Sequence, residues 1–172
     1  MSRNPRAAGR RFEQRIARDL RAWLGEDWTV MRNQTDRQAG QGGCAGEFTI
    51  TGPHRFPFAI ECKDGHGFDS RQLWRIPVPG PLVSTPSKRG FWAQAQDQAD
   101  AVGLEPLLVF RRASTGTVLA AARRSAMIHI GAAGTRCDIE IERSWIRVVR
   151  WAAVLDTLPS MLFEMPGARR VA

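Results

Sequence analysis

The sequence predicts an α/β fold: a mixed central β-sheet flanked by helices, in the order α-β-β-β-α-β. Apolar residues recur at helical spacing near the N-terminus and again after residue 90. Short apolar runs of strand length, set off by glycine and proline turns, lie between and after those helices. With 43% hydrophobic residues, the 172-residue chain can also bury a sizeable core.

In residues 9–24, Phe12, Ile16, Leu20, Trp23 and Leu24 recur at steps of three and four, with arginines on the other faces. That is one apolar stripe of a helix, which Gly25 can stop. Glu13 sits beside the stripe, at the edge of any core it forms. Residues 28–31 read as a short strand. Residues 33–46 are polar and glycine-rich, as in a functional or mobile loop. Residues 47–51 and 57–63 read as two further strands. The Gly52-Pro53-His54-Arg55 turn between them predicts an antiparallel pair. The unbroken run Phe58-Ala59-Ile60 implies that the second strand is covered on both faces.

Residues 64–90 hold four prolines and several glycines, and a segment that long within a compact domain usually carries function. A helix follows over 91–102 and ends at Gly103. A buried strand follows over 106–111, and then a return strand over 117–122. Beyond that, 137–142 and 144–150 have strand character, and 154–163 has a helical pattern that Pro159 breaks or kinks. No repeat or linker divides the chain. The expectation is one domain over 1–172, with a core over 9–122 and an extension over 123–172 of unassigned role.

No apolar run approaches the length needed to cross a bilayer, and the basic N-terminus leads into an amphipathic pattern, so the chain is expected to be cytoplasmic. Three widely separated cysteines form no disulfide framework. Cys44, His54, Cys62 and His66 could suggest zinc, but their spacing is irregular and separate structural roles fit them better. The 25 Lys and Arg against 17 acidic residues give a net charge of +8, carried mostly by arginine. Such a balance suits a polyanionic partner, although a basic surface can also serve solubility alone.

The most informative stretch is Phe58-Ala59-Ile60-Glu61-Cys62-Lys63. Strand alternation puts Glu61 and Lys63 on one face. Burying both near a core is costly unless something compensates. A divalent cation on the carboxylate would do so. Phosphodiester hydrolysis explains the pairing, because a hard cation such as Mg²⁺ takes one or two carboxylates plus water and phosphate. The cation polarises the phosphate, and a lysine nearby can hold the attacking water or stabilise developing charge. Glu47 opens the preceding strand and Glu13 lies on the first helix, so three acids from three elements can meet at one strand end. The competing reading of Glu61 and Lys63 is a surface ion pair at a strand edge.

Glu13 on the first helix, Gly46-Glu47 opening a strand, Glu61-Cys62-Lys63 and a glutamine-bearing helix together resemble the PD-(D/E)xK nuclease superfamily. Within it the chain looks most like the Holliday-junction resolvases of archaea and phages. The resemblance covers residues 9–112. It implies a restriction-endonuclease-like core and a homodimer cutting branched DNA with Mg²⁺, for which Mn²⁺ can substitute. Glu47 and Glu61 would ligate the metal with help from the Cys62 carbonyl, and Glu13 would bind it directly or through water. Lys63 would position or activate the water, and Gln94 would lie near the site. The family usually has aspartate where Glu47 stands, often after proline and not glycine.

For Gln94 and Gln98 a plain polar helix face is the other reading, and for Glu13 an ordinary helix residue paired with Arg10 or Arg18. Arg32, Arg37, Arg71, Lys88 and Arg89 lie in or beside the two long loops. They are either solvated charges or a phosphate-tracking, DNA-binding surface, and the second is favoured. Trp74 and Trp92 can stack on bases, but packing is expected. Two alternatives to a resolvase stand: a restriction-like or repair nuclease of phage or bacterial origin, and a non-catalytic DNA-binding module of the same fold.

Overall fold

The computed structural model describes residues 5–33, 46–64, 90–111, 116–132, 136–141 and 144–164. Helix α1 (Pro5–Leu24) opens with proline, whose missing N–H costs nothing in a first turn. It stops where Gly25 takes φ +88° and its N–H donates to the Arg21 carbonyl at 3.1 Å. Strands β1 (Thr29–Arg32) and β2 (Phe48–Thr51) pair antiparallel in a small sheet of their own. Strand β3 (Phe58–Asp64) leads to α2 (Phe91–Asp100) and then to β4 (Glu105–Arg111). β5 (Val118–Arg123), α3 (Arg124–His129), β6 (Arg136–Ile141), β7 (Ser144–Arg150) and α4 (Trp151–Leu155) follow, and a 3-10 turn (Pro159–Glu164) closes the described chain.

The main sheet has five strands in the order β3-β4-β5-β7-β6. β3 and β4 are parallel and every other pair is antiparallel. The mixed sheet flanked by helices is the α/β fold expected. A parallel neighbour is what a crossover helix produces, and α2 is that crossover. Pro106 is tolerated inside β4 because pairing with β5 begins only at Leu107, so no ladder bond there needs its N–H.

One expectation is corrected. β2 and β3 do not form an antiparallel pair: β2 pairs with β1, and β3 pairs with β4. The connecting turn is held elsewhere, with Gly52 lying flat on Trp28, where a Cβ would meet the indole at 2.3 Å. The Trp28 ring also packs edge-on against Phe56, with centroids 6.3 Å apart. This aromatic floor turns the chain away from β2 before β3 begins.

The sheet separates two cores. On one face Phe12, Ile16 and Leu20 of α1 meet Phe58, Ile60, Cys62, Leu107 and Val109, with Met127 of α3 and Trp151 of α4 beside them. On the other face Phe91, Trp92 and Ala95 of α2 cover Leu108, Phe110 and Ile146. Each fully buried aliphatic or phenyl side chain contributes about 1.5–3 kcal/mol, so these faces supply most of the driving force. Trp92 is fully buried, so it packs as expected and is out of reach of a base.

The C-terminal region is built into this structure. β7 lies beside β5, while Trp151 Nε1 donates to Asp19 at 3.1 Å and Trp23 Nε1 donates to the Thr157 carbonyl at 2.8 Å. At the far edge, Arg147 is buried and donates to both oxygens of Asp138, directly opposite it on β6, at 2.7 and 2.8 Å. No helix among the described residues is long and apolar enough to cross a membrane.

Candidate active site

The site begins with a backbone contact. β3 is the sheet's first strand, so among the described residues one side of it lacks a full partner strand. There Gly46 makes an isolated parallel bridge to Ile60, and the Glu47 N–H donates to the Ile60 carbonyl at 2.8 Å. Gly46 has φ +71°, and a Cβ at this position would sit 2.2 Å from the Ile60 oxygen. Only glycine allows both the turn and the approach. This is a physical reason for glycine, and not proline, ahead of the acid.

Asn33 completes the clamp, a role that sequence reasoning missed. Its backbone N–H donates to the Glu47 carbonyl at 2.9 Å and its Nδ2 to the Gly46 carbonyl at 2.9 Å. Its Oδ1 accepts from Thr49 Oγ1 at 2.8 Å. Glu47 is thereby fixed on both sides of its peptide. No local pattern marks this, because Asn33 and Gly46 meet only when β1 pairs with β2.

Glu61 and Lys63 share the face of β3 turned to α2. Glu61 is buried, and its carboxylate is in contact with the half-buried Lys63 ammonium. Lys63 Nζ also lies 5.3 Å from the centre of the Phe91 ring at the start of α2, a cation–π contact. Phe91 was not singled out from sequence either, since residues 64–90 separate it from Lys63. Gln94 sits one turn further along α2 and is half-buried. Gln98 is half-buried two residues short of the helix end.

Cys62 faces the opposite core. Burial pushes its thiol well above the ordinary range, the negative charges of Glu47, Glu61 and Glu13 push it further, and Lys63 pulls the other way. All four charged groups thus lie within electrostatic reach of one buried sulfur. The Ile60 carbonyl turns outward to Glu47, so strand alternation turns the Cys62 carbonyl to the same open side.

Glu13 is tied to Arg32, whose Nη1 donates to it at 2.7 Å. The partner is therefore on β1, and not Arg10 or Arg18 on its own helix. Asp64, next after Lys63, accepts two bonds from Arg111 at 2.7 and 2.6 Å, and that guanidinium lies 5.5 Å from the centre of the Phe12 ring. This fork across β3 and β4 was also missed. Its only signal was an acid next to the Glu-Cys-Lys run.

Arg37, Arg71, Lys88 and Arg89, and likewise Cys44, His66 and Trp74, lie outside the described residues. Among the described residues no three His, Cys, Asp or Glu side chains stand close enough to hold a metal ion. The donors beside Lys63 are carboxylate oxygens and an outward carbonyl, the hard set that Mg²⁺ or Mn²⁺ takes, with one or two carboxylates sufficing when water and phosphate fill the rest.

A family model described as phage putative PDDEXK endonuclease matches residues 4–134. The chain belongs to that family. The match takes in α1, the Gly46 bridge, the whole of β3 and α2, and runs through β5 and α3. Membership in this PD-(D/E)xK group places the chain among the nucleases, with DNA as the substrate class. No curated protein and no solved structure matches the chain.

Proposed function

We propose that this endonuclease hydrolyses DNA phosphodiester bonds with a divalent cation, Mg²⁺ in the cell, held by Glu47, Glu61 and the Cys62 carbonyl. The observation that carries this is the Glu47 N–H bond to the Ile60 carbonyl, which ties one acid to the strand bearing Glu61 and Lys63. When bound, the cation polarises the phosphate and makes attached water more acidic. Lys63 orients that water or stabilises the phosphate charge, and its cation–π contact with Phe91 keeps it aimed. Glu13, kept in place by Arg32, would hold the cation directly or through water. Gln94 contacts the phosphate as a neutral donor.

The substrate we favour is branched DNA such as a four-way junction, cut by a homodimer, because symmetric paired nicks need two sites. The enzyme would act in the cytoplasm of a bacterium or of a phage-infected host. A second reading has support in the family description, which names a phage endonuclease and no branch. It is a restriction-like or repair nuclease acting on other DNA.

A panel of junction, flap, nicked and linear duplexes, each with Mg²⁺, tests both readings. The resolvase reading expects cleavage of junctions first, and preference for linear duplex would refute it. Glu61→Gln and Lys63→Ala are each expected to lower cleavage by about 10²–10³-fold, as when one preorganised charge-stabilising group is removed. Calorimetric Mn²⁺ binding should be lost in Glu61→Gln and kept in Lys63→Ala. Unchanged Mg²⁺-dependent cleavage in both variants would rule the site out.

A further inference from the structure

The outer side of α1 carries a surface that cleavage does not use. Arg11, Gln14, Arg18 and Arg21 follow at steps of three, four and three, so they form a single stripe along the helix. With Ala17 and Arg32 they line a groove of about 510 Å³. Arg32 lines this groove and holds Glu13 at 2.7 Å, so the groove opens beside the candidate active site.

The helix has six arginines and two acids, Glu13 and Asp19. Both acids are engaged, Glu13 by Arg32 and Asp19 by Trp151. Arg21 is anchored, with Nε and Nη2 donating to the Val30 carbonyl at 3.1 and 2.5 Å, which fixes one edge of its guanidinium. Arg11 and Arg18 are exposed and make no ion pair among the described residues. Like charges three and four residues apart weaken a helix. A polyanion in the groove removes that repulsion.

We propose that the groove holds the phosphodiester backbone of duplex DNA beside the cleavage site. The identity of the ligand rests on the nuclease reading, while the binding itself follows from the groove. Arginine's planar fork matches phosphate oxygens. From Arg11 to Arg21 the helix rises about 15 Å, which matches the axial run of roughly four phosphates on one strand. Among the described residues the lining is four arginines, Gln14 and Ala17, and arginine and glutamine are both side chains that take phosphate oxygens.

The test is fluorescence anisotropy in EDTA with a labelled duplex of about 30 base pairs, titrated across salt, so that neither metal nor cleavage enters. Arg11→Gln and Arg18→Gln keep a good helix former at each position. Each is expected to weaken binding about fivefold near 0.15 M salt and to lower the salt slope by about 0.9, and the double variant to weaken it about 30-fold. Arg124→Gln, at the opposite end of the sheet, removes the same charge and is expected to leave affinity and slope unchanged. Circular dichroism checks that the helix persists.

Wild-type affinity and slope in the double variant would overturn the proposal, and so would an equal loss in the Arg124 control. Tighter binding to an RNA duplex of the same sequence would overturn the assignment to DNA. A wild type that shows the expected slope and groove dependence, but cuts nothing with Mg²⁺, fails the cleavage reading and supports the groove.

Discussion

Replacing Gly46 with alanine tests the contact on which the candidate site is built. An L-residue in the left-handed region costs about 1–2 kcal/mol. The new Cβ would lie 2.2 Å from the Ile60 oxygen and 2.8 Å from its carbonyl carbon, both backbone atoms that cannot swing aside. The bridge must open by more than an ångström, which breaks the 2.8 Å bond from the Glu47 N–H to Ile60. Losing that bond adds about 1 kcal/mol. The total of about 2–3 kcal/mol lowers the melting temperature by roughly 4–12 °C in a domain of this size. An ångström of displacement at Glu47 should also lower cleavage by about 10²-fold. Thermal unfolding followed by circular dichroism, and Mg²⁺-dependent cleavage of labelled DNA, measure the two effects. Gly131→Ala is the control, because Gly131 has φ +70° and nothing within 4 Å of its added Cβ. It should show the conformational cost alone and full cleavage. If Gly46→Ala behaves like Gly131→Ala in both assays, the close approach to Ile60 does not hold Glu47 and the reasoning fails.

Asn33→Ala removes the side-chain bonds to Gly46 and Thr49 while leaving the β1–β2 pairing, so cleavage should fall roughly 10–100-fold, as for partners of metal-site ligands. Wild-type cleavage by this variant would refute its positioning role. Asp64→Asn takes the charge from the fork to Arg111 and should cost about 2 kcal/mol, or roughly 4–8 °C in melting temperature. Differential scanning calorimetry reads it directly. Burial and the neighbouring acids keep the folded Cys62 thiol protonated to higher pH than in the unfolded chain. Near pH 8 it should therefore resist iodoacetamide until urea unfolds the protein, as peptide mapping by mass spectrometry would reveal. The stability linked to this group is complete below the unfolded thiol's pKa and declines by up to about 1.4 kcal/mol per pH unit as pH rises through the folded value, a slope that Cys62→Ala should remove.

Much of the fold could be read from the sequence because local pattern and tertiary burial agree. Phe12, Ile16, Leu20 and Leu24 mark the inner face of α1, and all are buried. The unbroken Phe58-Ala59-Ile60 run implied cover on both faces, and α1 and α2 supply it. The pairing of β2 could not be read. A four-residue turn looks like a hairpin, and nothing nearby says that Trp28 claims Gly52 and Phe56 first. The middle of the sheet was also faint, since Ala120, Ala121 and Ala122 carry little hydrophobic signal although all are fully buried in β5. α3, at Arg124–His129, is too short to show a period and was not anticipated. For the site, Glu61 and Lys63 were visible through alternation along one strand. Asn33, Phe91 and Arg111 were not, because each joins the site from another element through contacts that exist only once the chain has folded.

The fork between Arg147 and Asp138 has a consequence for the last strand. Among the described residues β6 ends the sheet, so half of its backbone donors and acceptors face away from β7 and could recruit a foreign strand. Sliding β6 by one residue would invert its faces and leave the buried guanidinium opposite an isoleucine or a cysteine. Arg124 reaches the same carboxylate at 3.2 Å, so a second cation opposes that slip. Asp138 therefore acts as a latch that holds this margin in one alignment and keeps an acidic group where stacking between molecules would otherwise start.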